Sequence, residues 1–319
     1  MRITLISHDN WGYNNNIALA LEKKGHTVHH IDFSTFKYKY PNFGYKIYNF
    51  FLKSFFKKNL KNIHFGKEIN QRLQELNQTQ DVILTIKGDW IDPKEVLKFK
   101  KYTKKSIAYF NDNINRCPKI LQVIPNFDEV YSFEKEDCEK YHLKFITNYI
   151  YNESEANQST NFEYDVFNIS SKDNRFKTIS KIADELKAKN IPNKIIIFDK
   201  KNKNKSKNIE FISKYIQIET VNEYAKKSKI LLDIHRKEQN GLTFRVFESL
   251  GLQKKLITTN PNIVNYDFYN PKNIIVINEA NVNFDIAFFE SPYEPIPTEI
   301  FKKYTLNHWV ETVFDLQKT

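Results

Sequence analysis

Cysteine, glycine and methionine are scarce in this chain: of 319 residues, two are Cys, seven are Gly and one is Met. Two cysteines, Cys117 and Cys138, are too few for a disulfide framework and lack metal-ligand spacing, which points to a reducing cytosol. The Walker A sequence, G-x-G-x-x-G, G-x-S-x-G and H-E-x-x-H are all absent. Walker-type kinases, dinucleotide-dependent dehydrogenases, serine hydrolases and zinc enzymes therefore lose their usual signatures. Asp-x-Asp does not occur at all, so no carboxylate pair of that kind is available to hold a metal-bound diphosphate. No uninterrupted apolar run reaches the roughly 18 residues a membrane span needs. The N-terminus enters a strand pattern without a charged region followed by an apolar one, so a signal peptide is not expected either and the chain reads as cytoplasmic.

What is present is a globular composition, 40% hydrophobic and 15% aromatic. The length suits two domains of roughly 150 residues, each with its own core. Strand and helix patterns alternate: strands at 2–7, 27–33, 81–87, 106–110, 129–133 and near 145–149, with helices at 15–24 and 93–102 among them. The second half restarts with strands at 164–169, 194–198, 230–234, 256–259 and 273–277, with helices from 176, at 221–227 and at 298–316. Such alternation predicts α/β architecture with mainly parallel sheets. The polar stretch 152–161 is the expected linker, giving domains 1–155 and 156–319. The lysine-crowded run 200–207 reads as a solvated loop.

The most informative segment is 230–259. Two short apolar, partly β-branched runs flank a helix-length segment with Val246, Phe247, Leu250 and Leu252 as its apolar positions, a βαβ unit. Asn240, Gly241, Leu242 and Thr243 sit where strand hands over to helix, a place where backbone N–H groups and the helix dipole favour an anion. Arg245 can add a two-pronged donor to a phosphate, and Glu248, one turn on, can accept from the vicinal hydroxyls of a ribose. Together they suggest a nucleotide diphosphate. The plainer alternative is an i, i+3 ion pair between Arg245 and Glu248, of the kind worth about 0–1 kcal/mol when exposed.

A Gly-containing turn opening a helix that carries Arg and then Glu, late in the second of two Rossmann-like halves, resembles the donor site of GT-B glycosyltransferases, notably the bacterial enzymes that build capsule, lipopolysaccharide and other surface glycans. The C-terminal half looks like the CgeB-like and group 1 types. His8 to Asn14 after the first strand, Tyr109 to Asp112 after a middle strand, and Tyr131 to Phe133 ahead of 134–137 are similar to that group's N-terminal half. The resemblance implies two Rossmann-like domains facing across a cleft, with the last helix packing back on the first. It implies transfer of a sugar from a nucleotide-sugar to a surface glycan or lipid-linked acceptor, without metal or further cofactor. Arg245, helix N-termini, and Arg175 or Arg236 would neutralise the diphosphate. Retaining members often carry two glutamates separated by seven residues; here Asn240 holds the upstream position and Glu238 is off register. For inverting transfer the base is expected from the N-terminal half. Asp9 is favoured, beside Trp11 on which a sugar could stack; Asp112 would orient a substrate, and His8 is a third candidate with an ordinary pKa near 6.5. His8 and Asp9 could instead simply cap the turn and helix. A nucleotide-sugar epimerase on the same fold is the second enzyme reading.

The net charge of +11 calls for a partner, nucleic acid or an anionic membrane. A nucleic-acid-binding protein would leave residues 241–248 without a task, and no nucleic-acid partner is expected. From Ser34 to Gly66 there is no acidic residue, while Lys37, Lys39, Lys46, Lys53, Lys57, Lys58 and Lys61 are interleaved with aromatic and aliphatic side chains. A helix over 43–60 would set Lys46, Asn49, Lys53 and Lys57 along one stripe, which suits peripheral contact of 37–61 with an anionic inner membrane. The alternative is a core-packed helix with a lysine edge.

Overall fold

The structure is a computed structural model and describes residues 1–154, 161–200 and 206–316. Most of the expected linker and of the lysine-rich loop at 200–207 lies outside the described residues. The chain divides into two compact units, Met1–Thr147 with Val310–Thr319, and Asn148–Trp309.

The first unit holds six strands, β1 (Arg2–Ser7), β2 (Thr27–Asp32), β3 (Gln80–Ile86), β4 (Thr103–Phe110), β5 (Glu129–Ser132) and β6 (Lys144–Phe145), in the order β2-β1-β3-β4-β5-β6. Every pairing is parallel. Its apolar strands are covered on both faces, as a parallel sheet requires, with Ile6, Ile83 and Ala108 packed among Phe65, Ile69, Leu73 and Phe99. Phe65, Ile69 and Leu73 sit on a helix, Leu60–Glu75, that the sequence reading missed. These apolar residues are spaced correctly but diluted by polar ones. The expected helix over 43–60 stops at Phe56, because Lys57 turns left-handed at φ 54° and Asn59 caps a new helix through the Lys61 N–H. Gly66 allows that second helix to press onto Pro93–Leu97: a Cβ there would lie 2.3 Å from the Glu95 Cβ.

The second unit holds β7 (Tyr164–Ser171), β8 (Asn193–Phe198), β9 (Glu210–Ile212), β10 (Ser228–Asp233), β11 (Lys255–Thr258) and β12 (Ile274–Val276), ordered β12-β11-β10-β7-β8-β9 and again parallel. The three-residue β9 was not foreseen. The anticipated helix over 298–316 is two helices, Thr298–Lys302 and Leu306–Val313, interrupted where Thr305 bridges to Ile150. Gly251 ends the helix Phe244–Gly251 where a Cβ would meet the Asn152 carbonyl at 2.2 Å. At the chain's end, Lys24 and Glu311 pair at 2.6 Å within the first unit.

The strand orders locate the sites. In each sheet the connections reverse direction once, between β1 and β3 in the first unit and between β7 and β10 in the second. Loops leaving the carboxyl ends of those neighbouring strands diverge, and the crevice they leave is where open α/β sheets bind ligands.

Candidate active site

At the β7/β10 crevice a cavity of about 400 Å³ opens between the loop before helix Phe176–Ala188 and the loop after β10. Five cationic side chains, Arg175, Lys177, Lys181, Arg236 and Lys237, line it against two carboxylates, Glu238 and Glu279. The two arginines are held by one acid. Asp173 accepts from Arg175 Nε at 2.9 Å and Nη2 at 2.8 Å, and pairs with Arg236 Nη2 at 2.7 Å. Burial alone would raise the Asp173 pKa, yet these bonds hold it below the ordinary carboxylate value, so it stays charged. Arg175 Nη1 also donates to the Ile234 carbonyl at 2.9 Å, tying the loop after β7 to the end of β10. His235 lines the same cavity; burial lowers its pKa, and its Nδ1 lies 2.7 Å from the Thr259 hydroxyl. The result is a pair of guanidinium groups held in place by one carboxylate, in a cavity that His235 also lines.

Asn240, Gly241, Thr243, Arg245 and Glu248 form a second group that does not line this cavity. Their loop is pinned from beneath. Asn260 and Asn262 donate to the Asn240 carbonyl and Oδ1, each at 3.1 Å. Thr243 caps the helix Phe244–Gly251 by accepting from the Arg245 N–H, and its hydroxyl donates to the buried Asp233 at 2.8 Å. Glu248 is 2% exposed. Arg245 pairs with it from one side, and the Tyr151 hydroxyl donates to its Oε1 at 3.0 Å from the other. Burial raises the Glu248 pKa, while Arg245 and Tyr151 oppose that rise. The i, i+3 pair anticipated as a surface feature is thus a buried one, with the Arg245 guanidinium 5.3 Å from the Phe167 ring centre.

The β1/β3 crevice has the opposite chemistry. His8 follows β1 and is half-buried, its ring 4.3 Å from the exposed Trp90 indole and 5.2 Å from Phe33. Burial lowers its pKa, with Asp32 acting against that and Lys87 and Lys61 adding to it. Asp9 is engaged locally: its Oδ2 accepts from the Asn15 N–H at 3.0 Å, at the start of helix Asn15–Lys23, and its own N–H donates to Asp32. Asp112, after β4, is clamped between Lys87 Nζ at 2.8 Å and Arg116. Asn111 Oδ1 beside it is buried and has no hydrogen-bond partner among the described residues. Of the three expected catalytic candidates, Asp9 accepts a helix-start N–H through Oδ2 and Asp112 is paired with Lys87 and Arg116, whereas the His8 ring is held by aromatic contacts.

Sequence reasoning missed Asp89 and Trp90. They occupy the short turn after β3, entered through Lys87 at φ 60°. Asp89 is buried, and desolvation pushes its pKa up to about 6, with Lys87 opposing and Asp112 reinforcing the shift. Lys177, Lys181 and Lys237 were passed over because their sequence neighbourhood is ordinary. Only the strand order brings them to one crevice.

A concavity of about 540 Å³ near the amino end of β8 is lined by Lys187, Lys194, Lys207 and Glu210 but no arginine, and an open groove of about 820 Å³ beside β2 has Lys67 and Arg72 against Glu68 and Glu75. Among the described residues no group of His, Cys, Asp or Glu is arranged to hold a metal ion, and no helix is long and apolar enough to cross a membrane.

No family model and no curated protein matches the sequence. Solved structures do match in shape. An alpha-glucosyltransferase in complex with UDP and a 13-mer DNA containing an HMU base superposes with a TM-score of 0.60 at 12% identity, over 99% of this chain and 98% of that one. A UDP-forming alpha,alpha-trehalose-phosphate synthase from Burkholderia xenovorans gives 0.56 at 9% identity, over 98% of each chain. Likeness at that identity establishes the architecture, two Rossmann-like domains of the GT-B type.

Proposed function

We propose that this GT-B chain is a nucleotide-sugar-dependent glycosyltransferase acting on a bacterial surface glycan or a lipid-linked acceptor. The observation that carries the reading is the cavity at the β7/β10 crevice, where Arg175 and Arg236 converge on Asp173 among three lysines. A diphosphate is the ligand whose charge and geometry fit paired guanidinium groups, which bind phosphate in two-pronged fashion. Similarity in shape to two enzymes whose structures are described with or by UDP supports the same reading.

In this account Arg175 and Arg236 hold the diphosphate and neutralise it as it leaves. The pinned loop 240–243, which does not line that cavity, is assigned to the donor through the dipole of the helix it opens. The ribose diol is assigned to Glu248, whose Oε1 accepts from the Tyr151 hydroxyl, a bond the diol would have to replace. For an inverting transfer, the proton of the acceptor hydroxyl goes to the His8 imidazole. Its lowered pKa leaves it neutral and able to accept at neutral pH. The exposed Trp90 indole beside it offers a face for a sugar ring, and Trp11 a second one. Asp9 is given the capping role, because its carboxylate already holds the helix start. Asp112, fixed by Lys87 and Arg116, orients substrate.

A thermal-shift screen of the full chain against nucleotides and nucleotide-sugars tests the donor class, followed by assay of nucleotide release with and without glycan acceptors. Stabilisation by one family of nucleotides, with release that depends on acceptor, is expected. Sugar conversion without any acceptor would make the chain an epimerase, and no response to any nucleotide would remove the reading.

A further inference from the structure

The helix Phe43–Phe56 is built inside out. Its apolar residues Phe43, Ile47, Phe50, Phe51 and Phe55 recur at helical spacing and share one face, the pattern that in a soluble protein is turned to the core. Here that face is turned outward, and the one buried residue of the helix is polar, Asn49. Asn49 fastens the helix to the unit: its Nδ2 donates to the Tyr40 hydroxyl at 2.7 Å, and its Oδ1 accepts from the Leu60 N–H at 2.8 Å. Eight large apolar or aromatic side chains of these fourteen residues are exposed, from 45% at Tyr45 to 73% at Phe55. The expectation of a core-packed helix with a lysine edge is therefore overturned. An exposed apolar face of this extent on one short helix marks a contact surface.

Charge says what the surface meets. All seven lysines between Ser34 and Gly66 are exposed, with no acidic residue among them. Lys46 and Lys53 run along one flank of the aromatic face, and Lys57 and Lys58 follow its C-terminal end. Aromatic side chains on one side and lysines at its margin are the composition of a helix that lies in the plane of a lipid interface, with rings among the headgroups and ammonium groups at the phosphates. Through Asn49 the helix is tied to the start of the next one, Leu60–Glu75, whose Asn62 carbonyl accepts from the Asp92 N–H beyond β3 and whose Lys61 contributes to the field at His8.

We propose that Phe43–Phe56 docks the first unit on an anionic lipid bilayer, with Phe43, Ile47, Phe50, Phe51 and Phe55 immersed and Lys46, Lys53, Lys57 and Lys58 at the lipid phosphates. This stands on the exposed face and its charge, independently of the nucleotide site.

Flotation of the full chain with vesicles of phosphatidylcholine alone, and with a third of the lipid replaced by phosphatidylglycerol, tests it. Binding is expected on the anionic vesicles and not on the neutral ones, weakening as salt is raised. Replacing Phe50, Phe51 and Phe55 together by Ser should abolish it. Lys46→Gln, Lys53→Gln, Lys57→Gln and Lys58→Gln should each weaken it by about five-fold or less. Because these side chains are exposed, the variants should keep the parent's thermal midpoint and nucleotide response, which separates loss of docking from loss of fold. Absence of vesicle binding, or binding unchanged in the triple Ser variant, would overturn the proposal. So would a dimer, seen by light scattering, that dissolves in the triple variant while vesicles are ignored, or tighter binding to a short DNA duplex than to anionic vesicles.

Discussion

The two crevices compare one architecture carrying two chemistries. Both lie where a parallel sheet reverses its strand order, and both are bounded by loops after two neighbouring strands. In the second unit those loops and the helix Phe176–Ala188 bring guanidinium and ammonium groups to one cavity; in the first the loops bring an imidazole, carboxylates and indole rings. The topology fixes where a ligand binds, and the loop residues fix which ligand. A cationic crevice suits an anion that must be held and then released. A crevice with a neutral imidazole and a partly protonated carboxylate suits a hydroxyl that must lose its proton.

The contrast can be broken from either side. The largest effect is expected at His8: His8→Ala should lower turnover by about a hundred-fold or more, the usual size of a lost general base, with nucleotide affinity unchanged. Because burial lowers the His8 pKa, the acid limb of the parent's rate profile should fall below about pH 6.5, the ordinary histidine value, and the rate should already be level at neutral pH. A limb unchanged in the variant would move the role elsewhere. In the other crevice, Arg175→Ala or Arg236→Ala should weaken nucleotide binding by about ten-fold or more, since a charge-assisted hydrogen bond is worth roughly 1.5–3 kcal/mol. Turnover at saturating donor separates this from an effect on chemistry.

Asp89 gives a stability test of the first crevice. Below about pH 4 it is protonated in both the folded and the unfolded chain. As pH rises towards about 6, the unfolded chain releases its proton while the native state keeps it, so stability falls. Above about 6 the penalty is complete, on the order of 3 kcal/mol for a shift of about two units. Asp89→Asn should therefore raise the melting midpoint at pH 8 and flatten the dependence between about pH 4 and 6.5. A midpoint lowered at pH 8 would contradict this. A smaller loss is expected from Asp9→Asn, about 1 kcal/mol or less in denaturant unfolding, because Asn keeps an oxygen for the Asn15 N–H. A chelator should leave turnover unchanged if Arg175, Arg236 and their lysine neighbours carry the diphosphate alone.

Much of the fold was legible because alternating short apolar runs and helical spacings are local signals. The segment 230–259 resolves into β10, helix Phe244–Gly251 and β11 within two residues of the expected limits. The helix Leu60–Glu75 was not legible, because its core residues are separated by polar ones and the stop at Lys57 depends on a left-handed turn. The site was legible in its parts and not in its assembly. Arg175 and Arg236 stand far apart in the chain, and what joins them is the adjacency of β7 and β10, which no window of sequence contains. Tyr151 reaches Glu248 across an interval of 97 residues, beyond any window of sequence. The helix Phe43–Phe56 shows the reverse limit: its pattern was read correctly as amphipathic, but spacing alone cannot say whether an apolar face turns to a core or away from it.

The central claim, that the crevices divide the labour, is tested most directly by calorimetric titration of UDP, or of whichever nucleotide the screen selects, into two variants side by side. Arg236→Ala should bind at least about ten-fold more weakly than the parent, and His8→Ala should bind as the parent does. Equal affinity in all three proteins, or a loss confined to His8→Ala, would contradict the account.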